Sequence, residues 1–354
     1  MRSLKLIVVL LCSIALSACS NVVPDDGTMR YARWLTMTDS TATVLNPWRE
    51  GEVLHSYRLP VSADAAYRRA VSATSLHAYL AYRLGAMDRI AGVMDADYIV
   101  APELKTAITD SMNMGSSQSP NLERIKAVGC DLIFASPFEN AGYGALETLD
   151  IPIVECADYM EATPLGRAEW MRFYGRLLGC AAQADSLYNA EEAAYQALCT
   201  PGQSAATPTV LLGKRDGQAW YVPGGRSYLG SLLDDADTHY VFADEASTGS
   251  IPLDFEAVYA RAKDADLWLI TYAAPPAADG TFTPMTYADL AAEDERYAQF
   301  RAFREHHIWA CNTLEVPYYD ALPWSPATLL REIILIARPE RLPGEKPRYF
   351  HPLQ

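Results

Sequence analysis

The chain has 354 residues, half of them apolar, with 44 acidic against 29 basic side chains and a formal net charge of −15. That length supports more than one compact core, and the apolar fraction excludes a disordered chain. The acidic balance argues against nucleic acid, whose phosphates need a basic face.

The opening residues read as an export leader. Arg2 and Lys5 form a basic start, and Leu6 to Ala15 form an apolar run too short to span a membrane stably. Leu16-Ser17-Ala18-Cys19 then resembles a bacterial lipobox. That resemblance implies that Cys19 is acylated and becomes the first residue of an exported, lipid-anchored, otherwise soluble protein. An ordinary signal peptide with an incidental Cys is the alternative. Losing Arg2 and Lys5 leaves 27 basic against 44 acidic side chains, a net of −17. Such a charge favours docking on basic partners.

Residues 20–28 read as a polar tether. From 30 to 59, YARWLTMTDS and TATVLN alternate, Asn46 to Gly51 turns, and EVLHSYRL returns, so antiparallel strands are expected. A βα rhythm follows. Arg69 to Ser72 is a short strand, AYLAYRLGA a helix ended by Gly85, and IAGVM a second strand. Ser119 to Glu123 opens another helix, RIKAV, stopped at Gly129, and the apolar runs 131–135 and 151–156 suit buried parallel strands.

Thr163 to about Leu198 reads as one long helix, and the rest of the chain is organised around it. Thr163 suits the N-cap and Pro164 the first helical position. Trp170, Phe173, Leu177, Cys180, Ala184 and Leu187 make one apolar stripe, and Met171, Tyr174, Leu178 and Ala181 a second. A helix apolar on two sides must touch two bodies. Some 35 residues would span roughly 50 Å. The alternative is two helices broken near Gly179 inside a single domain.

After residue 201 the plan repeats. TPTVLLGKRDGQAWYVP reads as a hairpin around Asp216-Gly217, Gly224-Gly225-Arg226-Ser227 feeds a helix, and HYVFA is a strand. Residues 244–252 read as a polar loop. LDFEAVYARAK is a helix, Asp266 to Tyr272 a buried strand, and Tyr287 to about Phe303 an amphipathic helix. Ala327 to Ala337 closes the chain as a helix after a turn-rich segment, 317–326. Alternation of this kind implies parallel sheets covered by helices. The expected organisation is α/β: leader 1–19, tether and strands 20–58, first lobe 59–162, connecting helix 163–200, second lobe 201–345.

One internal echo stands out. SPNLERIKAVGCDLIFA parallels PLDFEAVYARAKDADLWLI. In each, a Glu (Glu123, Glu256) lies in a helix's first turn and an Asp-Leu precedes an apolar strand. Capping by the helix dipole explains either Glu alone. The pairing across two halves points to function.

These residues resemble the substrate-binding lipoproteins of bacterial ABC importers for ferric siderophores, haem and cobalamin. The resemblance covers roughly 55–343. It rests on RAVSATSLHAYLAYRLGAMDRIAGV, PNLERIKAVGCDLIFA, the long helix, LDFEAVYARAKDADLWLI and SPATLLREIILIARPERLP, in that order. It implies two Rossmann-like lobes joined by one rigid helix, a ligand cleft between them, small closure, a monomer, and no resident cofactor. It also implies that Glu123 and Glu256 dock on arginines of the permease, two fixed carboxylates setting orientation against a basic partner. Ligand contacts are expected where strand ends and helix starts face the cleft. The candidates are Ser75, His77, Tyr98 and Phe138 in the first lobe, and Arg226, Tyr228, Tyr272 and Trp324 in the second. Aromatics offer flat area for a macrocycle or catecholate, and an Arg pairs with an anionic chelate. Some haem-binding relatives place an iron-ligating Tyr shortly before the first Glu; here Met114 to Gln118 contains none.

Other chemistries find little footing. There is no His-rich metal cluster, since the adjacent His306-His307 lies in an amphipathic helix. There is no GxSxG, and Gly142-Tyr143-Gly144 lacks the third glycine of a dinucleotide loop. Cys130, Cys156, Cys180, Cys199 and Cys311 include no CxxC and read as small buried apolar residues, with one disulfide left open. An exported enzyme on the same scaffold, or a scavenging lipoprotein without a permease, are the alternative functions.

Overall fold

A computed structural model describes residues 29–199 and 207–354. The leader, Cys19, the tether to residue 28 and the segment 200–206 lie outside the described residues.

The described chain opens with β1 (Leu35–Met37), β2 (Thr41–Leu45) and β3 (Val53–Arg58), an antiparallel sheet in that order. Leu35, Met37, Ala42, Val44 and Tyr57 turn inward and join the first core, as the alternation in this stretch dictates. Next come β4 (Ala70–Ser72), α1 (Ser75–Arg83), β5 (Ile90–Val93), α2 (Pro102–Ala107), α3 (Leu122–Ala127), β6 (Leu132–Ala135) and β7 (Ile153–Glu155). The four strands form a parallel sheet in the order β5-β4-β6-β7.

The expected single rod is two helices, α4 (Pro164–Leu178) and α5 (Ala181–Leu198). Gly179 adopts φ +76°, a left-handed conformation that ends α4 and turns the chain back. The helices pack against each other closely: a Cβ on Gly175 would sit 2.3 Å from the Ala184 methyl. Arg172 Nη2 donates to Asn189 at 2.9 Å across the pair. Both apolar stripes face the first core, and the second core is reached by residues outside them. Trp170, Phe173, Tyr174 and Leu177 of α4 enter the first core, whereas Tyr195 and Leu198 of α5 enter the second.

The second half contains β8 (Thr209–Leu212), β9 (Arg215–Asp216), β10 (Ala219–Pro223), α6 (Tyr228–Asp235), β11 (His239–Tyr240), β12 (Ser250–Leu253), α7 (Phe255–Ala262), β13 (Leu267–Tyr272), α8 (Tyr287–Glu293), α9 (Arg301–Arg304), β14 (Ile308–Asn312), α10 (Tyr318–Ala321), α11 (Pro326–Ala337) and β15 (His351–Pro352). Its main sheet runs β11-β8-β13-β14-β15, parallel except for β15. Only β9 and β10 make the expected hairpin; β8 pairs with β11 and β13 inside the sheet. The expected helix 287–303 breaks at Asp294. Its carboxylate accepts from the backbone and Nε of Arg296, holding Asp294 extended at φ −158°.

The two parallel sheets share one strand order, with β4, β5, β6 and β7 matched by β8, β11, β13 and β14. The sequence echo has a structural counterpart. Asp131, before β6, accepts from the Arg68 and Arg69 N–H groups that lead into β4. Asp266, before β13, accepts from Thr209 N–H at the start of β8. Each sheet has its own core, yet Ala321 and Trp324, from the second half of the chain, are buried in the first. The five described cysteines are free thiols. Among the described residues no helix is long and apolar enough to cross a membrane.

Candidate functional site

In the first sheet the connections change direction between β4 and β6. The crevice beyond the strand ends at such a point is where open α/β sheets bind ligands. A cavity of about 970 Å³ lies there, lined by Thr74 and Ser75 after β4, Asp95 and Tyr98 after β5, and Ser136 and Phe138 after β6. Tyr98 and Phe138 are large aromatics left 72% and 64% exposed. The equivalent point of the second sheet, between β8 and β13, holds only about 190 Å³ beside Tyr318 and Tyr319. Those two tyrosines also line a third space of about 440 Å³ between the halves of the chain, with Tyr159 and Arg167 on one side and Ser227 and Tyr228 on the other. The Phe138 and Tyr159 rings lie 6.1 Å apart and link this inner chamber to the strand-end cavity.

The eight ligand candidates separate into groups. Ser75, Tyr98 and Phe138 come together in the strand-end cavity. Tyr228 lines the inner chamber, where burial pushes its hydroxyl up to about 12 against the opposing pull of Arg167. Arg226 is exposed beside that chamber but does not line it. Tyr272 lies elsewhere, in a cavity at the β14–β15 edge, where its hydroxyl accepts from Met285 N–H at 3.2 Å.

His77 and Trp324 are corrections. His77 is 4% exposed, with Nε2 2.8 Å from Asp158 Oδ1 and Nδ1 2.7 Å from Thr74 Oγ1, so both ring nitrogens are occupied. Trp324 is fully buried and donates Nε1–H to Leu76 O at 2.9 Å. Neither side chain is available to a solute in the cleft.

Asp158 organises the wall behind the inner chamber. Besides His77 it accepts from Tyr174 Oη at 2.8 Å and Arg167 Nε at 3.3 Å. Burial is the largest influence and opposes its charge. His77, Arg167 and Tyr174 together outweigh it and hold the carboxyl below the usual range. At the strand-end cavity, Tyr143 donates to Glu155, whose carboxyl is raised mainly by burial.

Four residues at the cleft were not singled out in the sequence: Tyr159, Arg167, Tyr318 and Tyr319. Arg167 lies in the first turn of α4 and Tyr159 just before the helix, which is where a boundary between two bodies was expected. Tyr318 and Tyr319 fall in the turn-rich segment 317–326, and nothing local marks them.

Glu123 and Glu256 occupy the first turns of α3 and α7, one in each half, and both are exposed. Glu256 pairs with Arg296 Nη1 at 2.9 Å, and Glu123 has no side-chain partner among the described residues.

The sequence profile of the periplasmic binding protein family matches residues 71–313. An uncharacterized lipoprotein of Methanocaldococcus jannaschii is 24% identical over 246 residues, which cover 68% of this chain and 55% of that protein. The chain thus spans about half the length of that relative, and the match covers 65% of a second lipoprotein from the same organism. Three solved structures are similar in fold. A periplasmic binding protein from Veillonella parvula gives a TM-score of 0.65 at 15% identity, covering 87% of this chain and 99% of that one. A periplasmic haem-binding protein from Pseudomonas aeruginosa gives 0.58 at 18%, covering 81% and 98%. A protein of an ABC-type Fe3+-hydroxamate transport system from Saccharomonospora viridis gives 0.58 at 18%, covering 83% and 98%.

Proposed function

The chain belongs to the periplasmic binding protein family, and we propose that it captures an iron chelate, a ferric siderophore or haem, or else a corrinoid, and passes it to the permease of an ABC importer. The observation that carries this reading is the cavity of about 970 Å³ at the turning point of the first sheet, with Tyr98 and Phe138 exposed on its wall. Its size falls within the range of small-molecule sites, and flat aromatic faces suit a macrocycle or a catecholate. The haem-binding and Fe3+-hydroxamate proteins that share the fold support the same ligand class. The protein binds rather than transforms its solute, acts as a monomer, and hands it over through Glu123 and Glu256.

We place the protein outside the cytoplasm, anchored by lipid on Cys19. The lipobox resemblance and the lipoprotein relatives support this. Cys19→Ser should move the protein from the membrane to the soluble fraction; unchanged fractionation would sink the anchor.

A thermal-shift panel of ferric siderophores, haemin and cyanocobalamin tests the ligand class, because a ligand that binds only the native state raises its melting temperature. One of them should shift Tm saturably. Tyr98→Ala and Phe138→Ala should each weaken that ligand by roughly three- to tenfold, the worth of an aromatic contact. No shift with any compound overturns the proposal.

A further inference from the structure

The turning points of the two sheets differ in chemistry. In the strand-end cavity of the first, Thr74, Ser75, Ser116, Ser117 and Ser136 supply hydroxyls and Asp95 a carboxylate. The pocket of about 190 Å³ at the turning point of the second has no charged side chain among the described residues that line it. Its walls are aliphatic: Leu212 from β8, Leu269 from β13, Leu229 and Leu232 from α6, Leu329 and Ile333 from α11. Thr271, also in the wall, is hydrogen-bonded to Tyr319.

This aliphatic slot is open rather than sealed. Tyr221 and Tyr319, which line it, are 53% and 62% exposed. Large apolar side chains gathered in the open mark a contact surface. Water in such a slot finds few polar partners, and an apolar group that displaces it gains free energy. At about 190 Å³ the slot falls below the range of a complete small-molecule site, so it serves one part of a larger solute. It is continuous with the inner chamber, since Pro223, Leu229, Tyr318, Tyr319 and Leu329 line both. The Phe138 and Tyr159 rings join that chamber to the strand-end cavity.

We propose that the slot takes an alkyl chain carried by the solute, so that the preferred ligand is an amphiphile: a polar metal-chelating head in the strand-end cavity, and a chain that crosses the inner chamber and ends among Leu229, Leu232 and Ile333. The inference rests on the reading of the cleft as a chelate site and adds the class of substituent that the chelate carries. A hydrocarbon chain needs no hydrogen-bond partner and gains with every methylene it buries. A charged or hydroxylated arm of the same length would be stranded in the slot without a partner.

Equilibrium titration with ferrioxamine B acylated on its free amine, in a series from acetyl to decanoyl, tests this, because head and charge stay constant while the chain grows. Concentrations are kept below those at which the probes form micelles. In the wild type the affinity should rise roughly two- to fourfold per added methylene, then level off once the slot is full. Leu229→Trp fills the slot and should flatten the series without weakening the acetyl member. Leu229→Asp covers the case in which the Trp variant fails to fold, since an acid suits the first turn of α6; its charge in the slot should flatten the series as well. Affinity independent of chain length, or a rise that survives both substitutions, overturns the slot and leaves the chelate reading intact. If the series binds at no length, that head is the wrong one, and the chelate reading stands or falls with the thermal-shift panel. The slot is then tested alone by saturation-transfer NMR with 1-octanol against 1,8-octanediol, whose far hydroxyl finds no partner there: octanol binding that is lost in the residue 229 variants supports the slot, and its absence overturns it.

Discussion

The Ser75 hydroxyl donates to Asp320 Oδ1 at 2.5 Å, although the two residues are 245 positions apart. Asp320 Oδ2 accepts from the N–H groups of Val100 and Ala101, each at 2.9 Å. One buried carboxylate from the second half of the chain thus gathers three donors from the first. Arg83 Nη1 donates to Ser325 Oγ at 3.1 Å, and Trp324 fills the first core nearby. The segment 318–325 is a latch between the two sheets.

Breaking the latch should be costly. Asp320→Ala leaves two backbone N–H groups and a hydroxyl without their acceptor, at about 1–3 kcal/mol for a buried donor. Non-additivity keeps the total near 2–4 kcal/mol. Ser75→Ala removes one donor and should cost about 1 kcal/mol. Urea midpoints measure both. If the two variants unfold at the same midpoint, the backbone donors contribute nothing and the latch is a minor contact.

Gly179 is the point where a rod became a hairpin. Its φ is +76°, and a Cβ placed on it would lie 2.9 Å from the Ala66 methyl, so there is no room for a side chain. Gly179→Ala should cost about 1–3 kcal/mol through backbone strain alone, with the contact adding to it. Thermal melts of Gly179→Ala and Gly179→Asn provide the check; a stabilised Ala variant would mean that the helix prefers to run through.

Stability should fall in acid because of Asp158. A carboxyl held below its unfolded value of about 3.9 contributes stability that is complete above that value and is lost as pH falls through the folded value. Glu155, Glu161, Glu191 and Asp235 lie above their ordinary values, burial being the largest cause in each. Their sign is opposite: they weaken the fold near neutrality and recover on protonation. Asp158→Asn should therefore lose about 3 kcal/mol at pH 7, as when one partner of a buried ionic cluster is removed. Its stability should then change less with pH below about 4. Denaturation curves at stepped pH decide this, and parallel profiles for the variant and the wild type would assign the acid loss elsewhere.

The docking proposal predicts a separation of function. Glu123→Lys with Glu256→Lys should abolish solute uptake in cells while the Kd for the solute stays within about twofold, since exposed charges steer a partner rather than hold a distant ligand. Arg296→Ala frees Glu256 from its ion pair and should leave uptake intact. A tenfold loss of solute affinity in the double variant would contradict the assignment.

Local chemistry made the sheet rhythm legible. Thr163, Asp254 and Asn121 each cap a helix through the side chain, and Gly85 and Gly129 end helices at positive φ, as their residue types require. Gly179 carried the same signal, but two apolar stripes running past it favoured a continuous helix. Asp294 broke another expected helix through a side-chain network that only the fold assembles. Within the site, Ser75, Tyr98 and Phe138 were legible because they follow strands, and strand ends at a turning point meet in one crevice by topology.

By itself, the sequence determined two copies of one βα plan, the Glu and Asp-Leu element repeated in each, and the strand-end residues that could reach a cleft, because periodicity, caps and turns act over a few residues. Tertiary structure alone decided that His77 is consumed by Asp158, that Trp324 belongs to the other half's core, and that Arg167 and Tyr228 face each other across the inner chamber. Those outcomes depend on contacts between residues some 60 to 250 positions apart, whose pairing is set by burial and hydrogen-bond satisfaction across the whole fold rather than by any neighbouring pattern.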